Sequence, residues 1–189
     1  MRDESFFTSI GEGRTIAILL ALRESKDPLM LKDLLPILNH TQTLRHRLEK
    51  MSDEGLVNME VINEGHRHIE IQLTEEGWQS AMMFNILNLL VKPGSNLQEK
   101  SLDLRHADPI FRTLYGREYV IQKELVGMVN NHSMVKEVLE TMIADGLVIK
   151  NGDHSGGREI RYVLTSLGDQ VAEVYAHVYK KIASRRQTA

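Results

Sequence analysis

The sequence predicts an α+β protein, mainly helical with small β-hairpins, in which one folding unit occurs twice in tandem. Three observations lead there. A shift of 91 residues aligns Leu31 to Gly77 with Gln122 to Gly168 without a gap, and 15 of the 47 aligned positions are identical. In each copy an apolar stripe at helical spacing stops at a glycine, and in each a hairpin then closes on Leu-Thr-x-x-Gly.

Each element has its own warrant. A first helical run covers Thr15 to Glu24 in copy one and roughly Pro109 to Tyr115 in copy two. A second helix follows, and Pro36 and Gly127 at equivalent places predict that it ends early or kinks in both copies. Leu44, Leu48 and Met51 form the buried stripe of a third helix, matched by Val135, Leu139 and Met142. Gly55 and Gly146 stand where a helix C-cap needs positive φ, and each is followed by Leu-Val, which opens a strand. Val57, Met59 and Val61 alternate, Gly65 turns the chain, and Ile69, Ile71 and Leu73 return it. The second hairpin runs from Leu147 to Leu164 around Gly152, Gly156 and Gly157. Thr74 and Thr165 are N-caps for closing helices.

Composition narrows the function classes. The 189 residues are 42% apolar and 26% charged with a formal net charge of −3, which argues against a polyelectrolyte and a histone-like basic protein. Without cysteine there is no disulfide, thiolate metal site or cysteine nucleophile. The N-terminus lacks the pattern of a secretory signal, and Asn85 and Asn88 interrupt the longest apolar run, Ala81 to Val91, so a cytoplasmic protein is expected. The expected division is residues 1–92, a linker at 93–107 containing Pro93-Gly94-Ser95-Asn96, and residues 108–189.

The order helix, helix, helix, strand, glycine-tipped wing, strand, helix, with the string Thr41-Gln42-Thr43-Leu44-Arg45-His46-Arg47-Leu48-Glu49-Lys50-Met51-Ser52-Asp53-Glu54-Gly55-Leu56-Val57, resembles the winged helix-turn-helix domains of MarR- and ArsR-like regulators. The resemblance spans nearly the whole chain as two copies. It implies duplex DNA as partner, read by the third helix with the wing on the minor groove or backbone. With Leu44, Leu48 and Met51 inward, the outward residues expected to touch DNA are Gln42, Thr43, Arg45, His46, Arg47 and Lys50, with His66, Arg67 and His68 on the wing. Arg can pair bidentately with guanine and Gln with adenine. Copy two looks weaker. Its third helix offers Lys136 against Glu137 and Glu140, while its wing carries Lys150, His154, Arg158 and Arg161; Lys136, Arg158 and Arg161 complete the expected DNA-binding set.

Two helices invite partners. Trp78 to Val91 is apolar on more than one face and is expected between the two copies or in a homodimer; Val171 to Ile182 offers a second dimerisation stripe. No enzyme and no cofactor are expected: there is no phosphate-cradling loop or nucleophile elbow, and His66 with His68 is thin geometry for a metal. The expected function is therefore a DNA-binding transcriptional regulator. The alternative is a tandem winged-helix interaction scaffold in a chromosome-organising or transcription-machinery complex, since this fold also holds proteins.

Overall fold

The computed structural model describes residues 8–63, 67–94, 100–152 and 159–186. One element order occurs twice. In the first half a 3₁₀ turn (Ser9–Gly11) leads to α1 (Thr15–Glu24), β1 (Leu29–Met30), α2 (Leu31–Leu34), α3 (Thr41–Asp53), β2 (Val57–Ile62), β3 (His68–Leu73) and α4 (Glu75–Leu90). The second half repeats this: a 3₁₀ turn (Ser101–Asp103), α5 (Ala107–Leu114), β4 (Val120–Ile121), α6 (Gln122–Val129), α7 (His132–Ala144), β5 (Val148–Asn151), β6 (Arg161–Leu164) and α8 (Ser166–Arg186). The sheets are antiparallel, ordered β1-β3-β2 and β4-β6-β5. The two-residue strands β1 and β4 went unpredicted because they are too short for any periodicity.

Identities between the copies fall on load points of the backbone. Gly55 and Gly146 hold φ of 69° and 72°. Around each, a Schellman pattern ends the helix: Leu56 N donates to Met51 O at 2.8 Å and Gly55 N to Ser52 O at 2.9 Å, with Leu147 to Met142 and Gly146 to Ile143 matching at 2.9 and 3.0 Å. The threonine of Leu-Thr-x-x-Gly works in both directions. Thr74 Oγ1 accepts from Gly77 N at 3.0 Å and donates to Gly55 O at 2.6 Å, so it caps α4 and ties it to the end of α3. Thr165 does the same with Gly168 and Gly146. A Cβ on Gly77 or Gly168 would collide with the carbonyl of Leu56 or Leu147, so the helix start can lie this close to the strand start only without a side chain. Pro36 and Gly127 act differently: α2 ends at Leu34, whereas α6 runs through Gly127 to Val129.

The hairpin register follows the apolar alternation, with Val57 opposite Leu73, Met59 opposite Ile71 and Val61 opposite Ile69. One apolar cluster runs through both halves. At its centre Tyr175 of α8 stacks on Phe111 of α5 at 5.0 Å and meets Phe84 of α4 edge-on at 5.2 Å, while its hydroxyl donates to Leu102 O. Val171, Tyr175, Val178 and Ile182 are all buried within the chain. The stripe expected to offer a second dimerisation surface is thus covered from inside, chiefly by α5.

The second part of the expected linker is also covered. Lys100, Ser101, Leu102 and Asp103 are buried, and residues 8–14 and 100–106 meet in reciprocal contacts. Arg14 N donates to Asp103 O at 3.2 Å, and His106 N, 92 positions after Arg14, donates to Gly11 O at 2.7 Å, 92 positions before Asp103. Arg14 and His106 share a left-handed conformation (φ 68° and 70°) as N-caps of α1 and α5. Carboxylates at the ends of α3 and α7 hold the two turns. Glu54 accepts from Ser9 N at 2.9 and 3.0 Å and from its hydroxyl, and Asp145 accepts from Ser101 N and Oγ, both at 2.7 Å. Lys92 adds an ion pair to Asp145 at 2.6 Å.

Asp103 carries a pH dependence. Its Oδ1 accepts from Ile16 N at 2.9 Å at the start of α1, and burial pushes the carboxyl from 3.8 up to about 7 against the pull of the Ile16 amide and the Arg14 charge. Between those two pH values the folded chain keeps a proton that the unfolded chain releases, so this group makes stability fall as pH rises from about 4 to about 7. Asp103→Asn keeps the acceptor without the charge. Denaturant titrations across that window are expected to show a flatter pH profile for the variant and a gain in stability above neutral pH; an unchanged slope would contradict this role.

Candidate functional site

The outward face of α3 was the expected DNA-reading surface. Gln42, Thr43, Arg45 and His46 are exposed there. Arg47 is not: it is 8% exposed and turned into the seam between the halves. Its Nε donates to Glu12 Oε2 at 2.8 Å, and its Nη1 donates to Gly13 O and, at 3.0 Å, to Thr15 Oγ1. Lys50, half-buried, pairs with the other oxygen of Glu12. Burial works to raise the Glu12 carboxyl, but the hydrogen bond and charge of Lys50 and the charge of Arg47 outweigh it and hold the group below its usual range. Two cations expected to face outward therefore share one ionised acid, with Arg47 turned inward by it. The physical reason is helical geometry: 44, 47, 48 and 51 share one face, and Arg47 lies on the inner side of it. Arg45 is exposed but shared with Glu49 at 3.0 Å.

The wings are partly described. Arg67 is exposed, and His68 is half-buried with its ring 3.3 Å from Glu70. His66 and Arg158 lie outside the described residues. Arg161 is exposed with its guanidinium 4.2 Å from the centre of the Tyr119 ring, a cation–π contact. Lys136 on α7 is exposed and lies 3.7 Å from Glu140, with Glu137 exposed on the same helix.

A different surface stands out on α4. Its inner face, Ala81, Phe84 and Leu87, is buried, α4 packs chiefly on α1, and Phe84 reaches Tyr175 of the second half. This matches the expectation that the helix touches both copies, yet the outer face stays uncovered: Trp78 is 47%, Ile86 54%, Leu89 65% and Leu90 48% exposed, with Met82 half-buried among them. Positions 78, 82, 86 and 89 form one stripe of the helix. Glu76 at its start is held by Arg185 of α8 at 2.7 Å.

A cleft of about 640 Å³ opens at the seam. One wall comes from α3 (Thr43, Arg47), the other from the α6–α7 corner (Val129, Asn130, Asn131, Met134), and Gly11, Glu12, Arg105 and His106 complete it. Burial, then the charge of Arg105, lowers the pKa of His106. No helix of the described residues is long and apolar enough to cross a membrane.

Helices flanking small three-stranded antiparallel sheets with a hairpin wing define a winged-helix-like architecture. No protein-family model matches the chain, and no curated protein matches it. Among solved structures it is similar to ScpB from Mycobacterium tuberculosis, at 16% identity over 82% of this chain and 91% of that one, with a TM-score of 0.28. At that score the likeness carries no functional weight.

Proposed function

We propose that the protein is a tandem winged-helix scaffold that holds partner proteins, of the kind that serves in chromosome-organising or transcription-machinery complexes. The observation that carries this reading is the double engagement of Glu12, which draws Arg47 and Lys50 off the face a DNA groove would meet. Affinity for phosphates depends on cations free to displace counterions, and α3 keeps only Arg45, itself paired with Glu49. The α4 stripe has the opposite character. Exposed apolar side chains in one patch mark an interaction surface, Trp is the residue most often found at its energetic centre, and the i, i+4, i+8, i+11 spacing suits a helix laid against a partner's groove.

Ile86→Asp with Leu89→Asp tests this. Both side chains face solvent, so stability should change by no more than about 0.5 kcal/mol each. Association with the native partner is expected to be lost. Trp78, the sole tryptophan, supplies a direct reading, because its emission should shift to the blue when the partner covers it. A complex that forms unchanged with both aspartates in place would contradict the assignment.

Regulation through duplex DNA is the second reading, favoured by the uncovered Gln42, Thr43, Arg45 and His46. On that reading Arg45→Ala should weaken duplex binding and reduce its salt slope by about one.

A further inference from the structure

We propose that the free edge of β2 takes up an extended segment of a partner protein as an added strand, one in which a basic residue stands between two apolar ones. β2 is an outer strand of the first sheet and pairs with β3 over six residues. The other outer strands are shorter, two residues in β1 and four in β5. In an edge strand, alternate main-chain N–H and C=O groups point away from the sheet and can pair with another chain. Among the described residues no main-chain group outside the sheet bonds to Asn58 through Ile62. Devices that commonly blunt an edge are missing from this strand: its register runs through six pairs without a bulge, and it holds neither proline nor lysine.

The side chains select the partner. Val57, Met59 and Val61 share the core face, yet the core fades along the strand: Val57 is buried, Met59 half-buried and Val61 45% exposed. A strand laid beside β2 would cover Met59 and Val61 with apolar residues of its own. Between them, on the opposite face, Glu60 stands directly across from Glu70. Like charges in that relation are unfavourable. Glu70 has the His68 ring 3.3 Å away, whereas Glu60 is exposed and enters no ion pair among the described residues. A lysine or arginine on the added strand would occupy the open side of Glu60, which gives the alternation apolar, basic, apolar. A second β2 offers no such cation, because Val57-Asn58-Met59-Glu60-Val61-Ile62 contains no basic residue. This edge lies apart from the α4 stripe, so it adds a second surface to the scaffold reading and is tested separately from it.

The probe is a capped peptide, Thr-Thr-Val-Lys-Val-Thr-Thr, with glutamate in place of its lysine as one control and backbone N-methylation at alternate residues as another. Titration of the full chain at low ionic strength is expected to give saturable binding, with the largest backbone amide shifts at Asn58 through Ile62 and slowed hydrogen exchange at the β2 amides that point away from β3. The glutamate peptide should bind about fivefold more weakly, the scale of exchanging an attractive for a repulsive cross-strand pair. The N-methylated peptide, which cannot complete the main-chain ladder, should not bind. Glu60→Lys, at an exposed position and opposite Glu70, should leave the fold intact and reverse the preference between the lysine and glutamate peptides. The variant with Ile86→Asp and Leu89→Asp should bind the peptide as the wild-type chain does. No saturation, binding of the N-methylated peptide, equal affinity for the two charged peptides, a preference untouched by Glu60→Lys, changes centred away from β2, or a chain that dimerises through β2 and ignores the peptide would each overturn the proposal.

Discussion

Arg47→Ala is expected to destabilise the fold by about 2–4 kcal/mol, while Arg45→Ala, two residues away on the same helix, changes stability by less than about 0.5 kcal/mol. Arg47 loses three partners when truncated, and Glu12 is left on the seam with Lys50 alone. Removing one member of a partly buried pair costs more than the pair contributes, since the other charge stays partly desolvated. Arg47→Met combined with Glu12→Gln should therefore be markedly less harmful than the two single effects added together. Chemical denaturation of the wild-type chain, the two alanine variants, the single changes Arg47→Met and Glu12→Gln and their combination checks this. If Arg45→Ala and Arg47→Ala were equally mild, Arg47 would not be the inward structural group described above.

Tyr175→Ala should cost about 3–5 kcal/mol, the scale for removing a buried aromatic ring. Tyr175 is 1% exposed and touches Phe84 from the first half, Phe111 from the second and the carbonyl of Leu102 between them. Tyr175→Phe keeps the packing but leaves Leu102 O without that donor, so about 1 kcal/mol is expected. The shared core makes a further claim. Both halves should melt in one transition in the native protein, and the alanine variant should lower that transition as a whole. Two separated transitions, with only one responding, would show that the halves are stable alone.

Much of the fold was legible in the sequence because its punctuation is chemical. Gly55, Gly146 and the Leu-Thr-x-x-Gly motif sit where positive φ, an N-cap and a close backbone approach each admit few residue types. The reciprocal 8–14 and 100–106 segments were missed. They are related by 92 residues where the aligned block keeps 91, and their pairing rests on main-chain atoms and on Ser9 and Ser101, which carry no periodic signal. The inward turn of Arg47 had a readable trace. Its aligned counterpart is Val138, a buried apolar residue, and 44, 47, 48 and 51 form one helical face. Charge alone suggested an outward side chain, and the partner that reverses it, Glu12, lies 35 residues earlier outside the aligned region. The uncovered side of α4 was visible as an excess of apolar residues, but which side stays bare depends on α1 and α8, a tertiary outcome.

Titration of the wild-type chain against a labelled mixed-sequence duplex at low ionic strength tests most directly whether α3 is a reader of DNA. With Arg47 and Lys50 held by Glu12, no saturable binding is expected in the micromolar range, and Arg45→Ala should change nothing. Tight, salt-sensitive binding that Arg45→Ala abolishes would contradict the scaffold assignment.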